Sequence, residues 1–158
     1  MFREICAERG VSVEELTREA EGKRDLDTLI DERTKAEARR GSVVIDGLLT
    51  GWMAGDLADV KIYLRAPERV RIERIARRDR LSFEEARKAT LAREDAERRR
   101  FMSFYAINLD DLSIYDLLLN TNLLPLESNL DVLKRFIRAF TEKKPVSGLW
   151  EKPRTIQG

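Results

Sequence analysis

One stretch of this sequence, residues 42–54, constrains the fold more than any other. It begins with an unbroken β-branched run at 43–45, which ends in Asp46-Gly47. Such a run is typical of a strand covered on both faces, as in a parallel sheet. A carboxylate at the carboxyl end of that strand lies where α/β proteins bind ligands, although Asp-Gly is also an ordinary turn. At this point the sequence supports a ligand-binding Asp46 and a simple turn about equally.

Helices and strands alternate along the rest of the chain. Apolar spacing predicts strands at 43–45, 59–65 and 114–120, and helices at 1–9, 12–21, 25–39, 67–80, 82–105 and 129–140, the last one capped by Ser128 or Asn129. Ser12 and Ser82 are each followed three residues later by Glu, the pattern of a capping box. The alternation predicts an α/β fold with a parallel sheet, but three strands are few for a sheet covered on both faces.

The predicted helix at 25–39 has a mixed pattern of apolar and charged residues. We expect its inward face to carry Leu26, Leu29, Ile30 and Ala36.

Composition narrows the class of protein. A chain of 158 residues fits one domain, and its net charge of +1 favours no polyanionic partner. The absence of His removes the commonest general base and metal ligand, and the single Cys6 cannot form an internal disulfide. No apolar run approaches the roughly 20 residues of a membrane span. We therefore expect a cytoplasmic protein with no membrane partner.

Arginine-rich helices carry the other candidate functional residues. Arg74 and Arg78 lie one turn apart, and Arg93, Glu97 and Arg100 fall at i, i+4 and i+7 on one stripe. Planar guanidinium groups suit phosphate oxygens, and a carboxylate between them accepts from sugar hydroxyls or a base amine. The alternatives are a solvated basic face and an intrahelical salt-bridge ladder, which each segment taken alone would favour.

Together these segments resemble the archaeal-type cytidylate kinases, nucleoside monophosphate kinases of the P-loop fold. The resemblance covers roughly residues 2–137, and its motifs occur in order as FREICAERG at 2–10, DGLLTGWMAG at 46–55, LRAPERVRIERIARR at 64–78 and DDLSIYDL at 110–117. It implies a three-layer α/β fold with a parallel sheet. It also implies transfer of the γ-phosphoryl group of ATP, with Mg²⁺, to CMP or dCMP, giving CDP or dCDP.

The resemblance assigns roles to matching positions on the acceptor side. Arg3 corresponds to the arginine that begins the monophosphate-binding helices and contacts the CMP phosphate. Arg93, Glu97 and Arg100 correspond to a trio that grips CMP, with the arginines on phosphate and the acid on the nucleoside. Phosphoryl transfer depends on positioning and positive charge, so a chain without His is compatible with it.

On the donor side the resemblance assigns three residues with catalytic roles. Arg74 and Arg78 correspond to lid arginines that stack over the ATP base and neutralise the transferring phosphates. Asp46 corresponds to the acidic residue near the Mg²⁺ of the nucleotide complex. By the same comparison the monophosphate-binding helices span about 1–40 and the lid about 74–100, within a kinase-like domain at 1–140. We expect a flexible tail at 141–158.

Two features of the sequence depart from the family pattern. Leu48 occupies the position where the family has an arginine on the acceptor phosphate, so one phosphate contact is missing or supplied from elsewhere. The sequence also contains no G-x-x-x-x-G-K-[ST] motif, so the first strand, P-loop, first helix and second strand of the family fold are not found. A misassigned start, a half supplied by another chain, and a decayed relative are the three explanations, and the first is favoured.

These departures lead to two functional hypotheses. The first is a cytidylate kinase-like protein that binds CMP and ATP and whose phosphoryl transfer is impaired as written. It would be a monomer, or a dimer that completes the sheet. The second is a non-catalytic nucleotide-binding or regulatory module, in which the basic helices at 65–100 bind a nucleic acid or a partner protein. The near-neutral charge makes a nucleic-acid partner the less favoured one.

Overall fold

The computed structural model describes residues 2–12, 15–16 and 24–142, with the side chains of 2–4 outside that description. The chain divides into two compact units after residue 120. The first unit contains α1 (Phe2–Arg9), α2 (Arg24–Arg40), α3 (Thr50–Ala54), a 3₁₀ turn (Gly55–Leu57), β1 (Ile62–Arg65), α4 (Glu68–Asp79), α5 (Phe83–Tyr105) and β2 (Leu117–Asn120). The second unit contains α6 (Leu126–Glu142). In the described part of the chain, no helix is long and apolar enough to cross a membrane.

The two strands form a parallel pair, as the alternation of elements predicted. Their register aligns Ile62 with Leu117 and Arg65 with Asn120. Just before the ladder, the Lys61 amide donates to Asp116 Oδ2 at 2.7 Å, and the Asp116 amide donates to the Lys61 carbonyl at 2.8 Å. Because parallel strands need a long crossover, α4 and α5 carry the chain from β1 back to β2.

The prediction of a strand at 43–45 is wrong. This segment has no strand assignment, and the side chains of Val43 and Val44 are 41% and 96% exposed. An apolar run becomes a buried strand only when neighbouring strands supply ladder partners, and β1 pairs with β2 alone among the described residues. The apolar run therefore lies at the surface of the first unit, and only the position of Asp46 after it survives from that prediction.

Both predicted capping boxes are confirmed. Ser82 begins α5, and its hydroxyl accepts from the Glu85 amide while the Glu85 carboxylate accepts from the Ser82 amide. The same reciprocal pair joins Ser12 and Glu15, at 3.1 Å and 2.8 Å. The remainder of the helix predicted at 12–21 lies outside the described residues, apart from Glu15 and Leu16.

The inward face of α2 differs from the prediction. Leu26 is buried and Leu29 and Ile30 pack against the core, but Ala36 is exposed. The other buried positions of the helix are polar: Asp27, Asp31 and Thr34. Apolar spacing places only hydrophobic residues inside, so it cannot identify polar side chains that are buried because they line a cavity.

The start of α6 was also predicted incorrectly. The helix begins at Leu126, directly after Pro125, and not at a cap formed by Ser128 or Asn129. Asn129 lies inside the helix, and its Nδ2 donates to the backbone carbonyls of Thr121, Leu124 and Pro125. The side chain thus satisfies carbonyls of the preceding turn instead of the free amide groups of a helix start.

Two apolar clusters hold the first unit together. One contains the buried residues Ile5, Cys6, Leu16 and Leu26. The other contains Leu49, Phe101 and Ile107, with Trp52 and Met53 of α3 packed against it. The second cluster fixes the turn at 47–49 and the short α3, which the sequence did not predict, against the carboxyl half of α5. It thereby places the Asp46-Gly47 turn beside the Arg93, Glu97 and Arg100 stripe.

The capping box of α5 supports a stability prediction. Replacing Ser82 with Ala removes the acceptor for the Glu85 amide and should lower the free energy of unfolding by about 1 kcal/mol. For a domain of this size that corresponds to a drop in Tm of about 2–4 °C, measured by circular dichroism. Ser103→Ala, at an exposed position on the same helix, is the control and should change Tm little. Equal effects of the two variants would contradict the role of the cap.

Candidate functional site: a buried polar cavity that opens beside an arginine-lined cleft

A small cavity of about 100 Å³ lies between α2, the turn at 47–49 and α5. One side of it is apolar, with Ile30, Leu49, Met53 and Phe101. The other side carries the buried polar face of α2 and the side chain of Arg100. An apolar cavity of about 150 Å³ holds benzene, so this smaller space admits at most a single ring or a group of that size.

Four buried polar atoms in this cavity have no hydrogen-bond partner among the described residues. They belong to three side chains: Asp27 Oδ2, Thr34 Oγ1, and Arg100 Nε and Nη1. Arg100 Nε lies 3.1 Å from Asp27 Oδ2, close enough for an ion pair but not aligned for a hydrogen bond. Buried polar groups without partners are rare and need an explanation, which at a cavity wall is often a ligand or an ordered water.

The carboxylates of α2 are held in a low-dielectric environment. Burial raises the pKa of Asp27, and the neighbouring Arg100 guanidinium offsets only part of this effect. Burial also raises the pKa of Asp31, whose Oδ2 accepts a 2.5 Å hydrogen bond from the Tyr105 hydroxyl. The pKa of Tyr105 is raised in turn by burial and by that hydrogen bond. Titratable groups perturbed in this way inside a cavity are typical of binding sites.

A larger cleft of about 700 Å³ lies next to the small cavity. Its walls come from β1, α4, α5, the turn after 45 and the loop at 109–115. Five arginines line it, from β1, α4 and α5: Arg65, Arg71, Arg78, Arg93 and Arg98. Asp46 lies at its edge with an exposed carboxylate. Convergence of guanidinium groups on a concave surface is what recognition of phosphate requires.

Carboxylates hold the cleft arginines in place. Arg71 of α4 is paired with Glu94 of α5, and Arg98 Nη1 donates to Asp110 Oδ2 at 2.7 Å. These hydrogen bonds raise the pKa of both guanidinium groups. Because the carboxylate partners restrict the arginine rotamers, little conformational entropy remains to be lost when an anion enters.

Gly47, Leu48 and Glu97 line both the small cavity and the large cleft, so the two spaces meet there. Glu97 Oε1 lies 3.9 Å from Arg93 Nε, and its side chain is 21% exposed. Burial raises the pKa of Glu97, and Arg93 and Arg100 offset only part of that rise. Glu97 is therefore a half-buried carboxylate between a cavity of ring size and an anion-binding cleft.

The structure brings together most of the predicted site residues. Asp46, Arg78, Arg93 and Glu97 line the large cleft, whereas Arg100 lines only the small cavity among the described residues. Arg74 is exposed on α4 and lines neither space in that part of the chain. Arg3 lies in α1, but its side chain is outside the described residues. Their roles remain predictions.

Sequence reasoning missed the polar face of α2. Asp27, Asp31 and Thr34 have the same i, i+4, i+7 spacing as the stripe of α5. That repeated spacing was a usable signal, because two polar stripes of equal length on different helices suit two walls of one site. The cleft residues Arg71 and Arg98 were missed as well, since a single arginine in a charged helix carries no such signal.

Comparison with known proteins identifies the family. The family model described as the cytidylate kinase-like family matches residues 1–123. The chain belongs to this family. It is 44% identical to the cytidylate kinase of Staphylothermus marinus over 143 residues, which are 90% of this chain and 81% of that protein.

Other relatives agree. The cytidylate kinase of Ignicoccus hospitalis is 42% identical over 87% of this chain and 80% of its own length. That of Pyrococcus horikoshii is 45% identical over 77% of this chain and 63% of its own length, so the match spans less than two thirds of this relative. No solved structure matches the chain at a significant level.

Membership of the family has two direct consequences. It implies the P-loop nucleoside monophosphate kinase fold, with which the parallel pair of strands and its helical crossover agree. It also associates the chain with relatives named as kinases of cytidylate. The fold prediction is confirmed in this sense, as an incomplete form in which two strands of the sheet are described.

The residues at the cleft edge fit the Mg²⁺ that kinases use with ATP. No group of three or more acidic, Cys or His side chains is arranged to hold a metal within the described ranges. Mg²⁺ bound with a nucleotide usually takes one or two carboxylates together with phosphate oxygens and waters. A single exposed carboxylate at the edge of an arginine-lined cleft, Asp46, matches that donor set.

The raised pKa of Glu97 generates a prediction about stability and pH. The folded-state pKa lies above the unfolded value near 4.3, so ionised Glu97 destabilises the unliganded fold at neutral pH. Glu97→Gln should therefore raise Tm at pH 7.5. The difference from the wild type should shrink as the pH falls through the folded-state pKa, because Glu97 then protonates.

Thermal unfolding followed by circular dichroism between pH 7.5 and 5 measures this difference. Glu84→Gln, at an exposed position in the first turn of α5, is the control and should not raise Tm. A lower Tm for Glu97→Gln at pH 7.5 would show that the two flanking arginines stabilise ionised Glu97 more than burial destabilises it.

Proposed function

We propose that this chain forms the nucleoside monophosphate site and the lid of a cytidylate kinase. It binds CMP or dCMP as phosphoryl acceptor and ATP as donor. The observation that carries the proposal is the pair of adjoining spaces, a ring-sized polar cavity and a cleft lined by five arginines, which share Glu97 at their junction. A nucleotide has the same arrangement of a planar base, a hydroxylated sugar and an anionic phosphate.

The parts of the acceptor nucleotide match the walls of the site. The base enters the small cavity, and the ribose or deoxyribose lies at the junction, where the Glu97 carboxylate accepts from a sugar hydroxyl. The phosphate then reaches the cleft, where Arg93 and Arg71 lie on neighbouring helices. Leu48, at the position of the family's phosphate arginine, offers no charge, so these guanidinium groups supply the phosphate contacts.

The chemical step depends on charge and position. Arg74 and Arg78 both lie on α4, and Arg78 Nε is 2.7 Å from Asp79 Oδ1. From this helix the two arginines neutralise the transferring phosphoryl group when the lid closes. Asp46 would hold the Mg²⁺ that accompanies the nucleotide, and that ion would supply positive charge beside the phosphates when bound. No His is needed, because the transition state requires electrostatic stabilisation more than proton transfer.

The donor phosphates need a further element. A P-loop supplies backbone amides and a lysine around the ATP phosphates, and residues 1–158 contain no G-x-x-x-x-G-K-[ST] motif. Complete phosphoryl transfer therefore requires a phosphate-binding element from beyond this segment. The segment by itself retains the acceptor site.

The alternative hypothesis, nucleic acid or a partner protein bound by the basic helices, is supported less well. Five of the arginines at 65–100 converge on a concave cleft, and several of them are paired with carboxylates. A surface that binds a polyanion instead exposes unpaired cations along one face. Salt-dependent nucleic-acid binding that survives Arg93→Ala and Arg100→Ala would favour this alternative.

The first prediction from this proposal concerns acceptor affinity. Arg93→Ala removes a guanidinium group from the cleft and should weaken CMP binding about 10- to 100-fold, the value of a charge-assisted hydrogen bond. Isothermal titration calorimetry measures the change. Arg99→Ala removes the same charge from an exposed position on the same helix that lines neither space, and it should bind CMP as the wild type does. Equal losses in both variants would point to long-range electrostatics and contradict the contact.

The second prediction concerns turnover. Purified residues 1–158 should bind CMP but convert it to CDP little or not at all with ATP and Mg²⁺, because the segment contains no P-loop motif. A coupled assay for ADP release measures the rate. Steady turnover of CMP by this segment, unchanged after removal of any contaminating kinase by a second purification, would contradict the prediction.

A further inference from the structure

We propose that Glu94 is a positioning residue of the large cleft, which holds Arg71 in the conformation that receives the phosphate of the acceptor. The inference rests on the proposed function, because it assumes that the cleft takes this phosphate. It gives Glu94 an effect opposite to that of its own charge. A negative side chain in the wall of an anion site here strengthens the binding of the anion.

Glu94 is a carboxylate in a wall that should repel no anion. It lines the large cleft together with Arg71 and Arg93, and its side chain is 24% exposed. Like charges repel each other more strongly beside a partly desolvated protein wall than in bulk water. The charge of Glu94 by itself therefore weakens the site, so any favourable contribution has to come from what Glu94 does to a neighbour.

The neighbour is Arg71, which meets Glu94 through both terminal nitrogens of its guanidinium group. Arg71 Nη1 donates to Glu94 Oε1, and Arg71 Nη2 donates to Glu94 Oε2 at 3.3 Å. Two parallel hydrogen bonds fix the plane of a guanidinium group as well as its position. A guanidinium group has five N–H donors, so this pairing leaves it able to donate to a phosphate oxygen.

The pair differs from two other contacts between arginines and carboxylates at the cleft. Asp110, the partner of Arg98, has a side chain that is 69% exposed, and Arg78 pairs with the next residue of its own helix. Exposed pairs contribute little, because both side chains can exchange their partner for water. Glu94 is less exposed than Asp110 and lies on a different helix from its partner, so it restricts an arginine of this wall more effectively.

Both ends of the pair stand on packed parts of their helices. Ile72, next to Arg71 on α4, is fully buried, and Ala86 and Thr90 are buried on α5. Ala86, Thr90 and Glu94 follow one another at intervals of four residues and so share one face of α5. Because packing fixes this face, the carboxylate of Glu94 is a fixed point to which Arg71 is attached.

A second carboxylate acts on Arg71 and would draw it away from the cleft. The hydrogen bond to Glu94 raises the pKa of Arg71 most, and the charge of Glu68 contributes a smaller part of the rise. Glu68 is exposed at the start of α4 and does not line the cleft among the described residues. Without Glu94, conformers of Arg71 that point toward Glu68 or into water gain population, and a phosphate has to reverse that change when it binds.

Glu94→Gln tests the proposal through the sign of its effect. The carboxamide keeps the size of the side chain but turns a donor toward one nitrogen of Arg71, which breaks the paired hydrogen bonds. We expect CMP to bind about 3- to 10-fold more weakly, the value of fixing one flexible side chain. A residue that acted through its charge alone would give the opposite result, because its removal relieves repulsion. Isothermal titration calorimetry on residues 1–158 measures the dissociation constant.

Asp95→Asn is the matched control. It removes the same charge from the next position of α5, which is exposed and lines neither space in the described part of the chain. This variant should bind CMP at least as tightly as the wild type. A Glu94→Gln variant that binds CMP as tightly as the control would overturn the proposal and leave the proposed function intact. A wild type that does not bind CMP would overturn the proposed function and this inference with it.

A double variant separates positioning from a direct contact and from a general structural defect. In the background of Arg71→Ala there is no guanidinium group to hold, so Glu94→Gln only removes negative charge. We expect the double variant to bind CMP as tightly as Arg71→Ala or more tightly. An equal weakening by Glu94→Gln in both backgrounds would show that its effect does not pass through Arg71 and would overturn the proposal.

Glu94→Asp keeps the proposal testable if Glu94→Gln does not fold. This variant preserves the charge and its repulsion, but its side chain is one methylene shorter and no longer reaches both nitrogens of Arg71 from the fixed face of α5. We expect CMP binding to weaken, again by about 3- to 10-fold. Wild-type affinity in a Glu94→Asp variant whose fold is verified by circular dichroism would overturn the proposal.

Discussion

The buried ion pair between Asp27 and Arg100 is the interaction on which the arrangement of the site depends. It joins α2 to α5 through two residues that lie 73 positions apart in the sequence, with Arg100 Nε 3.1 Å from Asp27 Oδ2. Two charges are kept out of water there without a complete set of hydrogen bonds from the described residues, an arrangement that costs free energy in the unliganded protein. Removing one partner from such a pair commonly costs about 3–5 kcal/mol, because the other charge remains buried. A ligand that supplies the missing hydrogen bonds would explain why the site keeps this unfavourable pair.

The large cleft differs from the small cavity because its charged side chains are exposed to water. Its arginines face water, so their charge is not expensive, but long side chains lose rotamer entropy when they grip an anion. Pairing Arg71 with Glu94 and Arg98 with Asp110 restricts these side chains before a ligand arrives. The helices that hold them, α4 and α5, are also the crossover between β1 and β2. The parallel sheet connection and the anion-binding wall are therefore one structural unit.

The segment at 43–46 shows how strongly strand formation depends on neighbours. It has the composition of a buried strand, yet Val44 is 96% exposed and β1 pairs only with β2 among the described residues. Unpaired strand edges and exposed apolar runs are usually protected by pairing or cover. The turn that follows is nevertheless well placed, because Leu49 is anchored in the cluster with Phe101. Asp46 thus reaches the cleft edge through packing of the turn and not through a sheet.

Local sequence determined the longer helices, the capping boxes at Ser12 and Ser82 and the i, i+4, i+7 stripe of α5, because helix periodicity and capping depend on residues within a few positions of each other. Motif order was enough to indicate the family, which the comparisons confirmed. Only the tertiary structure showed that Val43 to Ile45 have no ladder partner within the described ranges and that Ala36 faces solvent. It alone brought the polar face of α2 against α5, since a contact between Asp27 and Arg100 depends on how two distant helices pack. The chain thus encodes its helices locally, while the division of Arg93 and Arg100 between a cleft and a cavity arises from packing.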